Sequence, residues 1–599
     1  MSSSALPPLA LRAGRIFAWA IVCAGILGVL MAAWVGVRGA MAYQHLSQVQ
    51  AGAAKGVSAV SEDPASAMPA LEGLVTDAEA AHDLTSDPVW ALAEQIPWVG
   101  PQLAAFGAVA KASDDLLRGS LLPLATAAQG LSIDSLKPVG GRVDASTLVG
   151  LDGPAQDAAS HANAAADAVR DIDRTPLVGG VASAVEQAGN LFDQVASAVD
   201  GLSRASQLLP VMLGQNGARE YLLLVQNNAE WRSLGGITGT AILLKVDNGS
   251  ITLDSTQSAT ALTKEGAQPS IELPAEITEI YETKPVRYFH NLTQIPDFSV
   301  DGPIARSIYA QKTGVSVDGV FAVDPVVLSY LLTATGPVTL PTGDVLDSKN
   351  AVSFLLNGVY MKYPEPAAQD AVFAGAAGAV FQGLLDGRGS AGAMISALAR
   401  AGSEHRFFMW SADPAEQSVI SGTTIAGPLP TTDQRTAAFG VYLNDGTGSK
   451  MSYYVQPDVS IAWGACGSAK IVGERDLSLT ITLTSDAPSD AATSLPWYIT
   501  GGGLYGTPPG IAKVIPNVYL PEGFELLSAQ ASDGGTFTEA EYQGRRVLTF
   551  STDLSPGAST TFTVNVRGSS TATEAQAFVT PTADASLSPI VTAACGPGS

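Results

Sequence analysis

Tyr221–Leu253, YLLLVQNNAEWRSLGGITGTAILLKVDNGSITL, decides how the middle of this chain is read. Tyr221-Leu222-Leu223-Leu224-Val225 is short, apolar and bounded by polar residues, the pattern of a strand buried on both faces. Gln226-Asn227-Asn228-Ala229-Glu230-Trp231-Arg232 follows, with many donors and acceptors. Gly235-Gly236 then permits backbone angles that side chains forbid. Ile237–Val246 has the pattern of a second strand, Asp247-Asn248-Gly249 of a tight hairpin turn, and Ser250–Leu253 of a third strand. Residues 226–232 thus form a polar corner. One reading makes it a solvated loop whose side chains cap backbone groups. The other makes it a binding loop at the strand ends of an α/β sheet, where ligands usually sit.

The whole chain has 599 residues, room for roughly three or four domains. Hydrophobic residues make up 46%, ample for several cores, and the formal net charge is −24. Phosphate contacts need a basic surface, so no nucleic-acid partner is expected. Ile16–Val37 carries no charge and is long enough to cross a bilayer. Arg12 and Arg15 precede it and Arg38 follows, which favours a cytoplasmic N-terminus over residues 1–15. A cleaved signal peptide is the rival, since Ala40-Met41-Ala42 fits the small-residue pattern. The length of the run and the interrupting Arg38 favour an uncleaved anchor. No later segment is comparably long and apolar, so a single-pass membrane protein with its bulk outside the cytoplasm is expected. Cys466 and Cys595 are the two cysteines beyond the anchor. In an extracytoplasmic region they are expected to pair as a disulfide. No zinc spacing is present, and no metal site is expected.

Residues 38–213 are rich in Ala. Val181, Val185, Ala188, Phe192, Val195, Val199 and Leu202 alternate four and three apart, the seam of a slender antiparallel helical bundle. His82 and His161 sit alone on polar helices and are expected in solvent. Residues 214–469 alternate strand and helix patterns, an α/β domain. Within it, Asp324-Pro325 marks a helix start, because Asp caps free amides and Pro suits the first turn. Residues 470–599 turn all-β. Leu477, Leu479, Ile481 and Leu483 alternate with Ser and Thr, and further short strands follow, as in an immunoglobulin-like sandwich.

Three separated motifs, QNNAEWRSLGGITG, VDGVFAVDPVVLSYLLTATGPV and LNDGTGSKMSYYV, resemble the bacterial domain-of-unknown-function family 4012 over about Leu213 to Val455. DPVWALAEQIPWVGPQL, residues 87–103, is similar to that family's helical lead-in. A more distant similarity is to the LytR–CpsA–Psr family, membrane-anchored phosphotransferases that move glycopolymers from lipid pyrophosphate carriers to the cell wall. That resemblance implies a LytR–CpsA–Psr-like core, aspartates holding magnesium, and arginines clamping pyrophosphate. Gly239 stands where an aspartate would be expected, and Asp254-Ser255-Thr256-Gln257 stands where Pro-Arg-Asp would fall. Arg232 is the one matching arginine.

The leading expectation is therefore an extracytoplasmic cell-envelope protein that binds or helps assemble a polysaccharide or lipid-linked glycan. The alternative is an active glycopolymer phosphotransferase, and only that alternative calls for a cofactor, magnesium. No catalytic residue is assigned. The ligand-binding candidates are Gln226, Asn227, Asn228, Glu230, Arg232, Arg287, His290, Asp297 and Asp318. The corner is expected to open onto the main concave surface, with Arg232 donating paired hydrogen bonds to an anion.

Overall fold

A helix from Pro8 to Glu62 carries the whole uncharged run and opens the computed structural model, which describes residues 8–62, 64–129, 136–263, 271–464 and 474–594. Among the described residues it is the one helix long and apolar enough to cross a membrane. Most of its large apolar side chains between Ile16 and Val37 are exposed, as lipid-facing residues would be. The described residues divide into two compact units. One, which includes this helix, takes those within 1–135 and 145–210, and the other those within 136–144 and 211–599.

In the first unit a helix Pro64–Thr85 folds back along the first, and His45 meets the Asp77 carboxylate at 2.8 Å. Helices Gly100–Leu116, Asp152–Arg170 and the one beginning at Gly179 complete the bundle. Ala155, Ala158, Ala159, Ala162, Ala165 and Ala166 bury one face of Asp152–Arg170 against Phe192, Ala196 and Val199. Small side chains let the helix backbones approach closely, so the seam at Val185, Phe192 and Val199 is buried as its spacing requires. His161 is exposed. His82 is half-buried, with a shielded Nδ1 that has no partner among the described residues.

The second unit begins with a five-stranded sheet of order β3-β2-β1-β4-β7. Its strands are β1 (Arg219–Arg232), β2 (Gly235–Asp247), β3 (Ser250–Ser258), β4 (Gly319–Val323) and β7 (Phe407–Ser411). A small ribbon, β5 (Val338–Thr339) with β6 (Val345–Leu346), lies between the last two in sequence. β1 and β4 are parallel, with Tyr221 opposite Gly319, and the other pairs are antiparallel. Leu222 and Leu224 of β1 enter a core with Phe298, Ile304 and Ile308 of the helix Phe298–Thr313. Residues 136–144, expected within the helical region, instead join the β2–β3 turn, where Val143 N–H donates to the Gly249 carbonyl at 2.9 Å.

The polar corner is not a corner. β1 runs straight through it to Arg232, with register shifts at Val225/Gln226 and between Asn227 and Trp231. A run of polar residues suggests a loop only while its partners are unknown. Here Gln226, Asn227, Asn228, Glu230 and Arg232 each make at least one hydrogen bond inside the protein, so the strand continues, though Gln226 Nε2 and Asn228 Oδ1 are buried with no partner among the described residues.

The remaining strands are β8 (Thr436–Asp445), β9 (Val455–Trp463), β10 (Glu474–Ser485), β11 (Ala512–Tyr519), β12 (Phe524–Ala531), β13 (Thr538–Tyr542), β14 (Arg545–Thr549), β15 (Thr552–Leu554), β16 (Ser559–Ser569), β17 (Glu574–Val579) and β18 (Ile590–Ala594). One sheet has the order β12-β16-β10-β9, and the other β13-β14-β11-β8-β17-β18 with β15 on β11. Leu477, Leu479, Ile481 and Leu483 face Phe439, Val441, Val514 and Val518 across a shared core. The intervening Tyr442 and Tyr519 point the other way and pack with Phe298 and Tyr281 of the α/β core. The sheet containing β8 is thus a middle layer with two apolar faces, each large side chain adding about 1.5–3 kcal/mol by burial. β8 and β9 precede residue 470, yet they hydrogen-bond into these C-terminal sheets. Cys466 and Cys595 lie outside the described residues.

Gly236 shows how tightly β2 meets the bulged end of β1. A Cβ there would stand 2.3 Å from the Asn227 carbonyl carbon and oxygen. Backbone cannot yield as a side chain can, so Gly236→Ala is expected to cost about 1–3 kcal/mol or more in chemical denaturation. An unchanged midpoint would mean that β2 does not approach β1 this closely.

Candidate functional site

The end of β1 gathers side chains from all three motifs. Glu230 is buried, and its carboxylate accepts from Arg232 Nη2 at 3.1 Å and from the Lys450 ammonium. Arg232 is held on its other edges by Asn291 Oδ1, 3.0 Å from Nε, and by the Trp231 carbonyl, 2.7 Å from Nη1. Lys450 lies over the rings of Tyr360 and Tyr498, 6.0 and 5.7 Å from their centroids. These rings stack on each other at 5.4 Å, and the Tyr360 hydroxyl accepts from Asn227 Nδ2 at 2.5 Å. A cation over aromatic faces, paired with a carboxylate, is the arrangement that makes a buried ammonium tolerable.

Lys450 is aimed inward by the loop that ends β8. Asp445 Oδ1 accepts from the backbone N–H of Thr447 at 2.8 Å and of Gly448 at 2.7 Å, folding residues 445–448 into a turn. One residue earlier, Asn444 Oδ1 accepts from Ser233 N–H at 3.2 Å. The second motif contributes Asp324. Its Oδ1 caps the helix Pro325–Thr335 through Val326 and Val327 N–H at 2.9 and 3.0 Å, as the Asp-Pro pair requires. Its Oδ2 also accepts from Asn228 Nδ2 at 3.1 Å and Arg406 Nη1 at 2.6 Å. Gln226 Oε1 accepts from Gly236 N–H at 2.9 Å.

Burial alone would push Glu230 toward its neutral form. Lys450 and Arg232 outweigh it and hold the carboxylate below its usual range. For Lys450 burial disfavours the charge, and Glu230 overcomes it, so the ammonium is raised above its usual range. Asp445 has no such rescue: burial, with Glu230 nearby, pushes it up to about 6 against the opposing pull of Arg232. Burial lowers His290, and Glu230 resists that shift, so His290 belongs to the same electrostatic neighbourhood. Its Nδ1 lies 3.2 Å from Thr263 Oγ1.

The structure therefore brings together Gln226, Asn227, Asn228, Glu230, Arg232 and His290, but the five residues of β1 are buried and His290 alone is half-exposed. A small cavity that begins one residue beyond Arg232 is lined by Ser233, Leu234, His405, Tyr442 and Pro581 among others, and none of residues 226–232 lines it. At about 20 Å³ it admits a single water. The other candidates lie elsewhere. Arg287 is exposed at the end of the helix Lys284–Arg287. Asp297 caps the helix Phe298–Thr313, accepting from Ser299 N–H at 3.0 Å. Asp318 precedes β4, at the opposite end of the sheet from Arg232, where it accepts from Glu220 N–H at 2.8 Å. Sequence reasoning missed Lys450, Asn444, Asp445, Tyr360 and Arg406. The Asp-Gly-Thr-Gly-Ser run of the third motif was the one available signal, because that composition buries its own backbone amides in a turn.

Residues 216–360 match the family described as "Protein of unknown function (DUF4012)". The matched segment carries β1 to β4 and ends at Tyr360. The LNDGTGSK loop and residues 87–103 lie beyond it. No curated protein matches the chain, and no solved structure does.

Replacing Glu230 by Gln would leave two buried cations without their counter-charge. Glu230→Gln is expected to destabilise the protein by about 3–5 kcal/mol, and Lys450→Met in the same chain to restore part of that. Additive losses in the double variant would refute the pairing. Asp445 gives a pH signature. Its folded pKa of about 6 exceeds the ordinary 3.8, so the folded protein binds the proton more tightly and its ionisation lowers stability as pH rises through that window. Burial depresses His405 to about 4, which gives the opposite slope, so the informative quantity is variant minus wild type. Asp445→Asn keeps an acceptor for the turn. It should gain stability relative to wild type between pH 4 and 6 by on the order of 2–3 kcal/mol. A pH-independent difference would contradict a raised Asp445.

Proposed function

We propose that this is a single-pass, membrane-anchored protein of the cell envelope whose bulk lies outside the cytoplasm and binds envelope glycans. The observation that carries the glycan part is an exposed aromatic platform beside the third motif. Trp497, Leu504 and Tyr505 are 59%, 67% and 70% exposed. They flank Gly501-Gly502-Gly503, each with positive φ. A Cβ on Gly502 would lie 1.9 Å from the Trp497 indole nitrogen, and one on Gly448 would lie 3.0 Å from the Tyr505 ring. Glycines thus let both rings lie close against backbone while their outer faces meet solvent. Flat aromatic faces that stay rigid and wet suit the apolar faces of sugar rings, which stack on them without a charged contact. The anchor part is supported by the uncharged run and its Arg12 and Arg15 flank.

The polar residues at the end of β1 hold the platform's base in place and do not meet ligand. The phosphotransferase alternative would need Glu230 and Arg232 free to meet a metal or a pyrophosphate, whereas both are engaged with Lys450, Asn291 and each other. The LytR–CpsA–Psr-like core belongs to this proposal as a scaffold: its support is the β1-β2-β3 meander followed by the parallel β4 and its capped helix. The immunoglobulin-like reading draws support from two packed sheets.

Binding of purified envelope polysaccharide to the full chain in detergent tests the proposal. Trp497→Ala with Tyr505→Ala is expected to weaken it at least about tenfold, or 1.4 kcal/mol, with thermal stability unchanged. Undiminished binding would exclude the platform.

A further inference from the structure

The turns at one end of the helical unit form an apolar surface level with the end of the anchor. Trp34 Nε1 donates to Asp87 Oδ2 at 3.3 Å. Arg38 Nε lies 2.8 Å from the same carboxylate and donates to the Leu84 carbonyl at 2.9 Å. Asp87 caps the helix Pro88–Ala93 through Val89 and Trp90 N–H, and a Cβ at Gly39 would stand 3.6 Å from the Trp90 ring. The chain near Asp87 is therefore fixed beside the last turn of the uncharged run.

The loop that follows is apolar and open: Leu92, Ile96 and Val99 are more than half exposed and Trp98 is 89% exposed. Trp98 has φ of 71°, a left-handed conformation that costs a bulky residue energy. The turn is closed by Gly100 N–H donating to the Ile96 carbonyl at 2.7 Å. A second turn is stitched to it. Gln102 Nε2 donates to the carbonyls of Trp98 and Pro176 at 3.2 and 2.9 Å, and Gln102 Oε1 accepts from Val178 N–H at 3.0 Å. Val178 is exposed as well.

The level of these turns follows from helix geometry. Ala42, Ala81 and Ala110 share one small core. Val49 and Leu117 meet in the next core as Ala42 and Ala110 do in this one, so the helix Gly100–Leu116 runs in the same direction as the anchor, and ten residues of helix span about 15 Å. Gly100 is then level with the residues about ten before Ala42, inside the run that ends at Val37.

We infer that Ile96, Trp98, Val99 and Val178 seat in the interfacial layer of the bilayer that the anchor crosses, so that the helical unit rests on the lipid surface. The inference rests on the anchor reading of the proposed function. Tryptophan favours this layer because its ring is apolar and its N–H remains wet. The nearby charges are Glu94, half-buried just before Ile96, and Asp171, Asp173 and Arg174 in the turn before Val178, and their carboxylates and guanidinium must stay on the water side. Asp173 already accepts from Thr175 N–H at 2.9 Å.

The test uses the full chain in vesicles of phosphatidylcholine brominated near the headgroup end of the acyl chain. The Trp98 signal is the emission of wild type minus that of Trp98→Phe. The Trp19 signal, from Trp19→Phe, reports the anchor independently. The inference predicts loss of Trp98 emission and a shift to shorter wavelength than in detergent-free buffer-exposed tryptophan. If the Trp19 signal is quenched and the Trp98 signal is not, the anchor stands and the seating is overturned. If neither is quenched, the anchor reading itself fails and the inference with it.

Discussion

A carboxylate shared by two cations, Glu230 between Arg232 and Lys450, is the interaction on which the larger unit depends. Each member would be costly to bury alone. Together they compel strand β1 to remain strand to its last residue, because only there does Glu230 reach a lysine 220 residues further along the chain. The same contact fixes the turn after β8, so the geometry of the C-terminal sheets is tied to the α/β sheet at its central strand.

That tie explains the layering. β8, which leads into the Lys450 turn, is an inner strand of a sheet with alternating allegiance: Phe439, Val441 and Leu443 face the four-stranded sheet, and Tyr442 faces the α/β core. A strand with a period of two can serve two cores only if its register is held, and a slip of one residue would exchange every side chain between them. Asn444 on Ser233 and Lys450 on Glu230 hold it at two points. Buried polar groups here specify register, a use for which such groups are well suited.

Much of this was legible where the physics is local. The Leu477–Leu483 alternation, the heptads at Val185, Phe192 and Val199, and the Asp324 cap all depend on neighbours in sequence, and each occurs as its pattern requires. The polar segment 226–232 misled because polarity normally means water. Its partners, Asn291, Asp324, Tyr360 and Lys450, come from distant segments that no local pattern could nominate. Asp297 and Asp318 were drawn in by their charge, but each serves the backbone where it stands.

The tie between the two sheets requires Lys450 to be sealed against Glu230. Acylation of the native full chain by a small amine-reactive ester, followed by peptide mass spectrometry, measures this directly. Lys284, whose side chain is 51% exposed, serves as the internal reference. The account predicts that Lys284 is modified while Lys450 stays unmodified until the protein is unfolded. Modification of native Lys450 at the rate of Lys284 would contradict it.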